Sequence, residues 1–83
     1  MEDKIKELTL MLLYLTSWQE NEYGFKYTRS WKGYNFNILD KLYEQDYIAG
    51  SKRAKSVGIT EEGIEKARQL LKKYGIEEVT TDN

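Results

Sequence analysis

Between Asp3 and Trp18 the apolar residues cover more of a helical circumference than a surface helix needs. Ile5, Leu8, Leu12 and Leu15 recur at helical spacing, with Met11 and Trp18 widening the stripe, while Leu10, Leu13 and Tyr14 fall outside it. Such a helix either runs through the middle of its domain or has a second face covered by another subunit. Only 83 residues are present, which is one core and little chain to surround a helix on all sides. The pattern therefore favours a homodimer, formed through the first and last helices. Asp3 is the expected cap of this first helix.

The composition removes whole classes of chemistry. There is no cysteine and no histidine, so disulfides, thiolate nucleophiles, imidazole bases and the usual zinc ligand sets are absent. Apolar residues make up 40% and charged residues 33%, a globular balance. The longest uncharged stretch, Leu8 to Gln19, is too short to cross a bilayer, and no charged leader with a small-residue cleavage site precedes it. A cytoplasmic protein without a membrane partner is expected. Asp40 and Glu44 share a helix face at i,i+4, a spacing that more often marks plain surface than a cation site. No glycine-rich phosphate loop or nucleophile elbow occurs. The expectation is no enzyme, no cofactor and no metal.

The rest of the chain divides at its turn residues. Tyr23, Phe25 and Tyr27 alternate with Glu22, Gly24 and Lys26, the period of a half-buried strand. Thr28 could then cap a helical turn through Arg29, Ser30, Trp31 and Lys32, stopped by Gly33. A second helix is expected over about 35–45, with Ile38, Leu39, Leu42 and Tyr43 inward and Asn37, Asp40, Lys41, Glu44 and Gln45 in solvent. Residues 47–49 and 57–59 read as two strands joined by the basic segment 51–56. Thr60 caps a last helix, with Glu61 and Glu62 in its first turn and Ile64, Ala67, Leu70, Leu71 and Tyr74 as its buried stripe. Gly75 is the expected left-handed stop, with Ile76 folding back onto the last turn. The domain is thus 1–76, and 77–83 is expected to be a frayed tail.

Charge is uneven along this order. Residues 26–55 carry Lys26, Arg29, Lys32, Lys41, Lys52, Arg53 and Lys55 against Asp40, Glu44 and Asp46, whereas both flanks are net acidic and the whole chain is −1. A nearly neutral chain with one basic segment can still present a local field to a polyanion.

The segment 39–48, the basic tip and the run Val57-Gly58-Ile59-Thr60-Glu61-Glu62-Gly63 resemble the recognition helix, wing and closing-helix start of MarR-like and PadR-like bacterial regulators. The chain also looks like a member of a small, uncharacterised prokaryotic family marked by an Arg-(Ala/Ser)-Trp-Lys-Gly-Tyr segment, here residues 29–34. The first resemblance implies an α+β fold, a small winged helix-turn-helix with a helical core and a short β-hairpin wing. It further implies duplex DNA as partner, as for a transcription regulator. In that reading Asn37, Lys41 and Gln45 face bases or backbone, Lys52, Arg53 and Lys55 are wing contacts, and Arg29 and Lys32 clamp phosphates. Asp40 and Glu44 make the supposed recognition helix locally negative where phosphates would lie. The alternative is therefore a protein-interaction module on the same scaffold.

Six of the eleven aromatic residues, Tyr23, Phe25, Tyr27, Trp31, Tyr34 and Phe36, fall within fourteen positions among Lys26, Arg29 and Lys32. Rings interleaved with basic groups could stack single-stranded bases. The stronger expectation is that they complete the core of a small domain, since aromatics at its strands and turns are normally buried. Trp31 alone could equally be core, a cation–π partner or an exposed anchor.

Overall fold

Helix α1 (Glu2–Leu15) begins at Met1, with Glu2 and Asp3 in its first turn, so Asp3 lies inside the helix and does not cap it. The far end is closed by hydroxyls: Thr16 Oγ1 donates to the Leu12 carbonyl at 2.7 Å and Ser17 Oγ to that of Tyr14 at 2.6 Å. These bonds compete with helix continuation. Trp18, expected on the helical stripe, instead opens a strand. The structure, a computed structural model, describes residues 1–77; the expected tail lies, from residue 78 onward, outside the described residues.

Strands β1 (Trp18–Glu22) and β2 (Phe25–Trp31) form an antiparallel hairpin in which Glu22 pairs with Phe25. The two-residue turn between them, Tyr23-Gly24, has φ of 52° and 82°, the left-handed pair that matches the twist of flanking strands. Tyr23 is thus a turn residue and not part of the strand. The helical turn expected at 28–33 does not form either. Strand β2 runs on to Trp31, because Arg29, Ser30 and Trp31 pair with Gly58, Val57 and Ser56 of β4 (Ser56–Ile59). Sheet hydrogen bonds satisfy the backbone there, leaving nothing for a helical turn to gain.

Helix α2 (Phe36–Glu44) starts where Asn35 Oδ1 accepts from the backbone N–H groups of Asn37 and Ile38. It ends with Asp46 at φ 60° and the Tyr47 N–H reaching back to the Leu42 carbonyl, a left-handed stop. Strand β3 (Ile48–Ala49) pairs with β4, completing a four-stranded antiparallel sheet in the order β1-β2-β4-β3. Helix α3 (Glu61–Lys73) is capped by Thr60, whose Oγ1 accepts from the Gly63 N–H at 2.9 Å. Gly75 takes φ 69° and the Ile76 N–H bonds the Leu71 carbonyl at 2.8 Å, as the sequence predicts. The architecture is α+β, three helices against one face of the sheet.

The core joins Leu10, Met11 and Leu13 of α1, Ile38, Leu39 and Leu42 of α2, Ile48, Val57 and Ile59 of the sheet, and Ala67, Leu70 and Leu71 of α3. For α1 this shifts the expected phase: of the residues expected inward only Met11 is buried. Leu10 and Leu13, outside the expected stripe, are its inner face, whereas Ile5, Leu8, Leu12 and Leu15 stand 45%, 47%, 47% and 44% exposed.

Candidate interaction surfaces

Several of the eight residues that the sequence marks for nucleic-acid contact are engaged in contacts within the chain. Asn37, Asp40, Lys41 and Glu44 share the outer side of α2 by helical spacing, but Lys41 forms an ion pair with Glu2 of α1. Gln45 caps the end of α2 and lines a shallow hollow with Asp3, Lys6 and Tyr47. The segment between β3 and β4 is exposed but tied down. Lys32 Nζ donates to the carbonyls of Ser51 (3.1 Å) and Lys52 (2.7 Å). Lys52 Nζ sits 3.3 Å from Asp40 Oδ1 and 5.4 Å from the centre of the Tyr43 ring. Burial raises the pKa of the Tyr43 phenol, an effect that Lys52 opposes. Arg29 is partly buried, its guanidinium held by Ser56 Oγ at 2.9 and 3.1 Å. Arg53 and Lys55 alone of the basic set are exposed with no carboxylate partner among the described residues.

The other face of the sheet is aromatic. Strand alternation and the pairings Trp18 with Arg29, Glu20 with Tyr27, Glu22 with Phe25 and Trp31 with Ser56 put all eight side chains on one side. Ser30 and Val57, both fully buried, point to the helices on the other. The Trp18 and Trp31 rings lie 5.0 Å apart at 45°, within the favourable range for a tilted pair. Trp18 Nε1 donates to Glu20 Oε2 at 2.7 Å, which fixes the ring. Phe25 (64% exposed), Tyr27 (44%) and Trp31 (62%) present their rings to solvent. Five of the six clustered aromatics are exposed, Tyr23 and Phe36 included, and only Tyr34 packs against the core. The expectation that these rings complete the core is overturned, because aliphatic residues of the helices and of β3–β4 already fill it.

The family model of a domain of unknown function, DUF6429, matches residues 1–77. The chain belongs to the DUF6429 family. No curated protein and no solved structure matches it.

The matched DUF6429 span takes in every described element, the extra hairpin β1–β2 included. Trp18, Glu20 and Glu22 of that hairpin are the surface residues that sequence reasoning missed. The sequence carries little signal for strand β1: residues 18–22 hold one apolar residue, Trp18, and do not alternate, and Tyr-Gly is a weaker turn marker than Asn-Gly. Among the described residues of this DUF6429 chain no group of acidic side chains could hold a metal ion, and no helix is long and apolar enough to cross a membrane.

Proposed function

We propose that this domain is a cytoplasmic protein-interaction module on a winged-helix-like scaffold, and that it docks its partner on the outer face of the sheet. One observation carries the reading: Phe25, Tyr27 and Trp31 stand exposed beside Trp18 on a single rigid face. Exposed aromatic side chains gathered on one sheet face mark an interface in a folded protein, and Trp and Tyr on sheet elements give large contact area at small cost in side-chain entropy. Glu20 and Glu22 share the face. With Arg29 of the same face bound to Ser56, the two carboxylates leave the face net acidic, which suits a polypeptide that carries basic residues. Neither a cofactor nor a catalytic group enters this activity.

Duplex DNA is a second reading, favoured by the exposure of Arg53 and Lys55 at the β3–β4 tip. Against it stand the ion pairs at Lys41 and Lys52 and the single helix, α2, between β2 and β3, where a helix-turn-helix would need two.

Two measurements separate the readings. A photo-crosslinking residue at Tyr27, followed by mass spectrometry, is expected to capture one defined protein, and Trp31→Ala to abolish capture while the domain stays folded. Titration of a labelled mixed-sequence duplex at low salt is expected to show no association. Duplex binding that falls steeply with salt and disappears when Lys52, Arg53 and Lys55 become Glu would move the function to the wing.

A further inference from the structure

The outer side of α1 carries a second pattern, distinct from its core face. Met1, Ile5, Leu8, Leu12 and Leu15 are separated by four, three, four and three residues, a repeat of 3.5, the spacing of a helix–helix seam. The core needs none of them. Leu10, Met11 and Leu13 serve it from the other side of the helix, and the four aliphatic residues from Ile5 to Leu15 remain close to half exposed. A surface helix of a monomer gains nothing from a straight line of Leu facing water.

We propose that this seam is a self-association surface, on which a second copy of the chain lays its own α1 antiparallel. The pattern is complementary to itself under a two-fold axis opposite Leu10: Ile5 then faces the partner's Leu15, and Leu8 faces the partner's Leu12. Both are isologous contacts of the kind a symmetric dimer needs. Charge selects the antiparallel direction. The helix has Glu2 and Asp3 in its first turn and no basic residue in its last. The two-fold brings the partner's Lys4 level with Thr16 along the axis, at the end of α1 where a cation is favoured by the helix dipole. A parallel pair would instead set two acidic first turns side by side. Lys4 is placed on the rim of the seam, its ammonium 5.9 Å from the Tyr74 ring of the same chain.

The seam spans about 15 Å of helix from Ile5 to Leu15. Four half-exposed side chains make a smaller patch than the roughly 800 Å² per partner of a standard interface. The dimer is accordingly a weak one, in the micromolar range. It uses neither the aromatic sheet face nor the wing, and so stands apart from the proposed partner docking.

The chain contains no cysteine, so an introduced thiol is the only one present. Oxidation of an equimolar mixture of Leu8→Cys and Leu12→Cys chains is expected to yield mainly the mixed crosslinked dimer. Leu8→Cys alone should crosslink poorly, because the two-fold offsets the two copies of position 8 by about 6 Å along the axis. In sedimentation velocity the wild type is expected to shift from monomer to dimer with concentration. Leu8→Glu/Leu12→Glu should stay monomeric with an unchanged circular dichroism spectrum, and Trp31→Ala should dimerise as the wild type does. A wild type that remains at 9.8 kDa at millimolar concentration overturns the proposal. So does self-crosslinking of Leu8→Cys as efficient as that of the mixture, or a double-Glu variant that still dimerises.

Discussion

The Lys52 ammonium lies 3.3 Å from the Asp40 carboxylate, so the first basic residue of the β3–β4 connection is paired with the helix that would have to enter a DNA groove. Asp40 and Glu44 on the outer side of α2 set the sign of the field there more than Lys52 does. Asp40→Asn/Glu44→Gln is expected to turn undetectable duplex association into weak binding with a steep salt dependence, read by fluorescence anisotropy. Its unfolding free energy should change by no more than about 1 kcal/mol, since the lost ion pair is exposed.

Gly63 has no room for a side chain. A Cβ there would stand 2.0 Å from the Tyr47 carbonyl oxygen, where the chain leaving α2 crosses the start of α3. The same crossing is held by Thr60, whose Oγ1 donates to the Asp46 carbonyl at 2.5 Å and whose N–H bonds that of Tyr47 at 3.1 Å. Neither backbone segment can yield without breaking these bonds. Gly63→Ala is expected to cost about 3 kcal/mol, at the upper end of overpacking effects. For a domain of this size that lowers Tm by roughly 12–24 °C. Gly33→Ala, with open space at the position, is the control and should leave Tm nearly unmoved.

The second half of the fold was legible because its local signals agree with one another. Asn35 to Gln45, the hairpin over 48–59, the Thr60 cap and the Gly75 stop all stand where periodicity and turn chemistry put them. In the first half, besides the Asp3 cap, the helical turn at 28–33 and the unexpected strand β1, two departures share one cause: apolar residues are assigned inward. In α1 the Ile5 to Leu15 stripe is the more regular pattern, and a period of 3.5 does not tell a core face from a helix seam. From Tyr23 to Phe36 the density of rings suggested a core, yet which strand face a ring takes depends on pairing with β4, more than twenty residues further on. The basic set was legible as composition but not as a surface, because Glu2 reaches Lys41 from 39 positions away.

Burial separates the two kinds of apolar residue in stability measurements. Leu13 is fully buried and Trp31 is 62% exposed. Leu13→Ala should cost about 2–5 kcal/mol, as large-to-small core changes do. Trp31→Ala removes mainly its contact with Trp18 and should cost about 1 kcal/mol, the worth of an aromatic pair. Urea denaturation followed by circular dichroism measures both. A loss at Trp31 as large as that at Leu13 would put the ring in the core and remove the basis of the sheet-face docking.

The contact between α1 and α3 titrates. Tyr74 donates its hydroxyl to Glu7 Oε1 at 2.6 Å, and Lys73 Nζ stands 3.8 Å from Glu7 Oε2. The hydrogen bond from Tyr74 is the main reason that the Glu7 pKa lies below its ordinary 4.5, with Lys73, Lys66 and Lys4 acting in the same direction against partial desolvation. A carboxylate whose pKa is lower in the folded state contributes stability that is complete above 4.5 and is lost as the pH falls through the folded value. Tyr74 moves the other way: the same hydrogen bond, then desolvation, raises its pKa above 10.0. Its contribution is complete below that value and is lost as the pH rises through the raised one. The α1–α3 contact should therefore hold from about pH 5 to pH 9 and weaken on both sides. Thermal melts across pH are expected to show a flat top with an acid and an alkaline limb. Glu7→Gln should make the acid limb shallower, and Tyr74→Phe should lower Tm on the plateau and make both limbs shallower, since each group is shifted by the other. An acid limb of unchanged slope in Glu7→Gln would assign the acid sensitivity to other carboxylates.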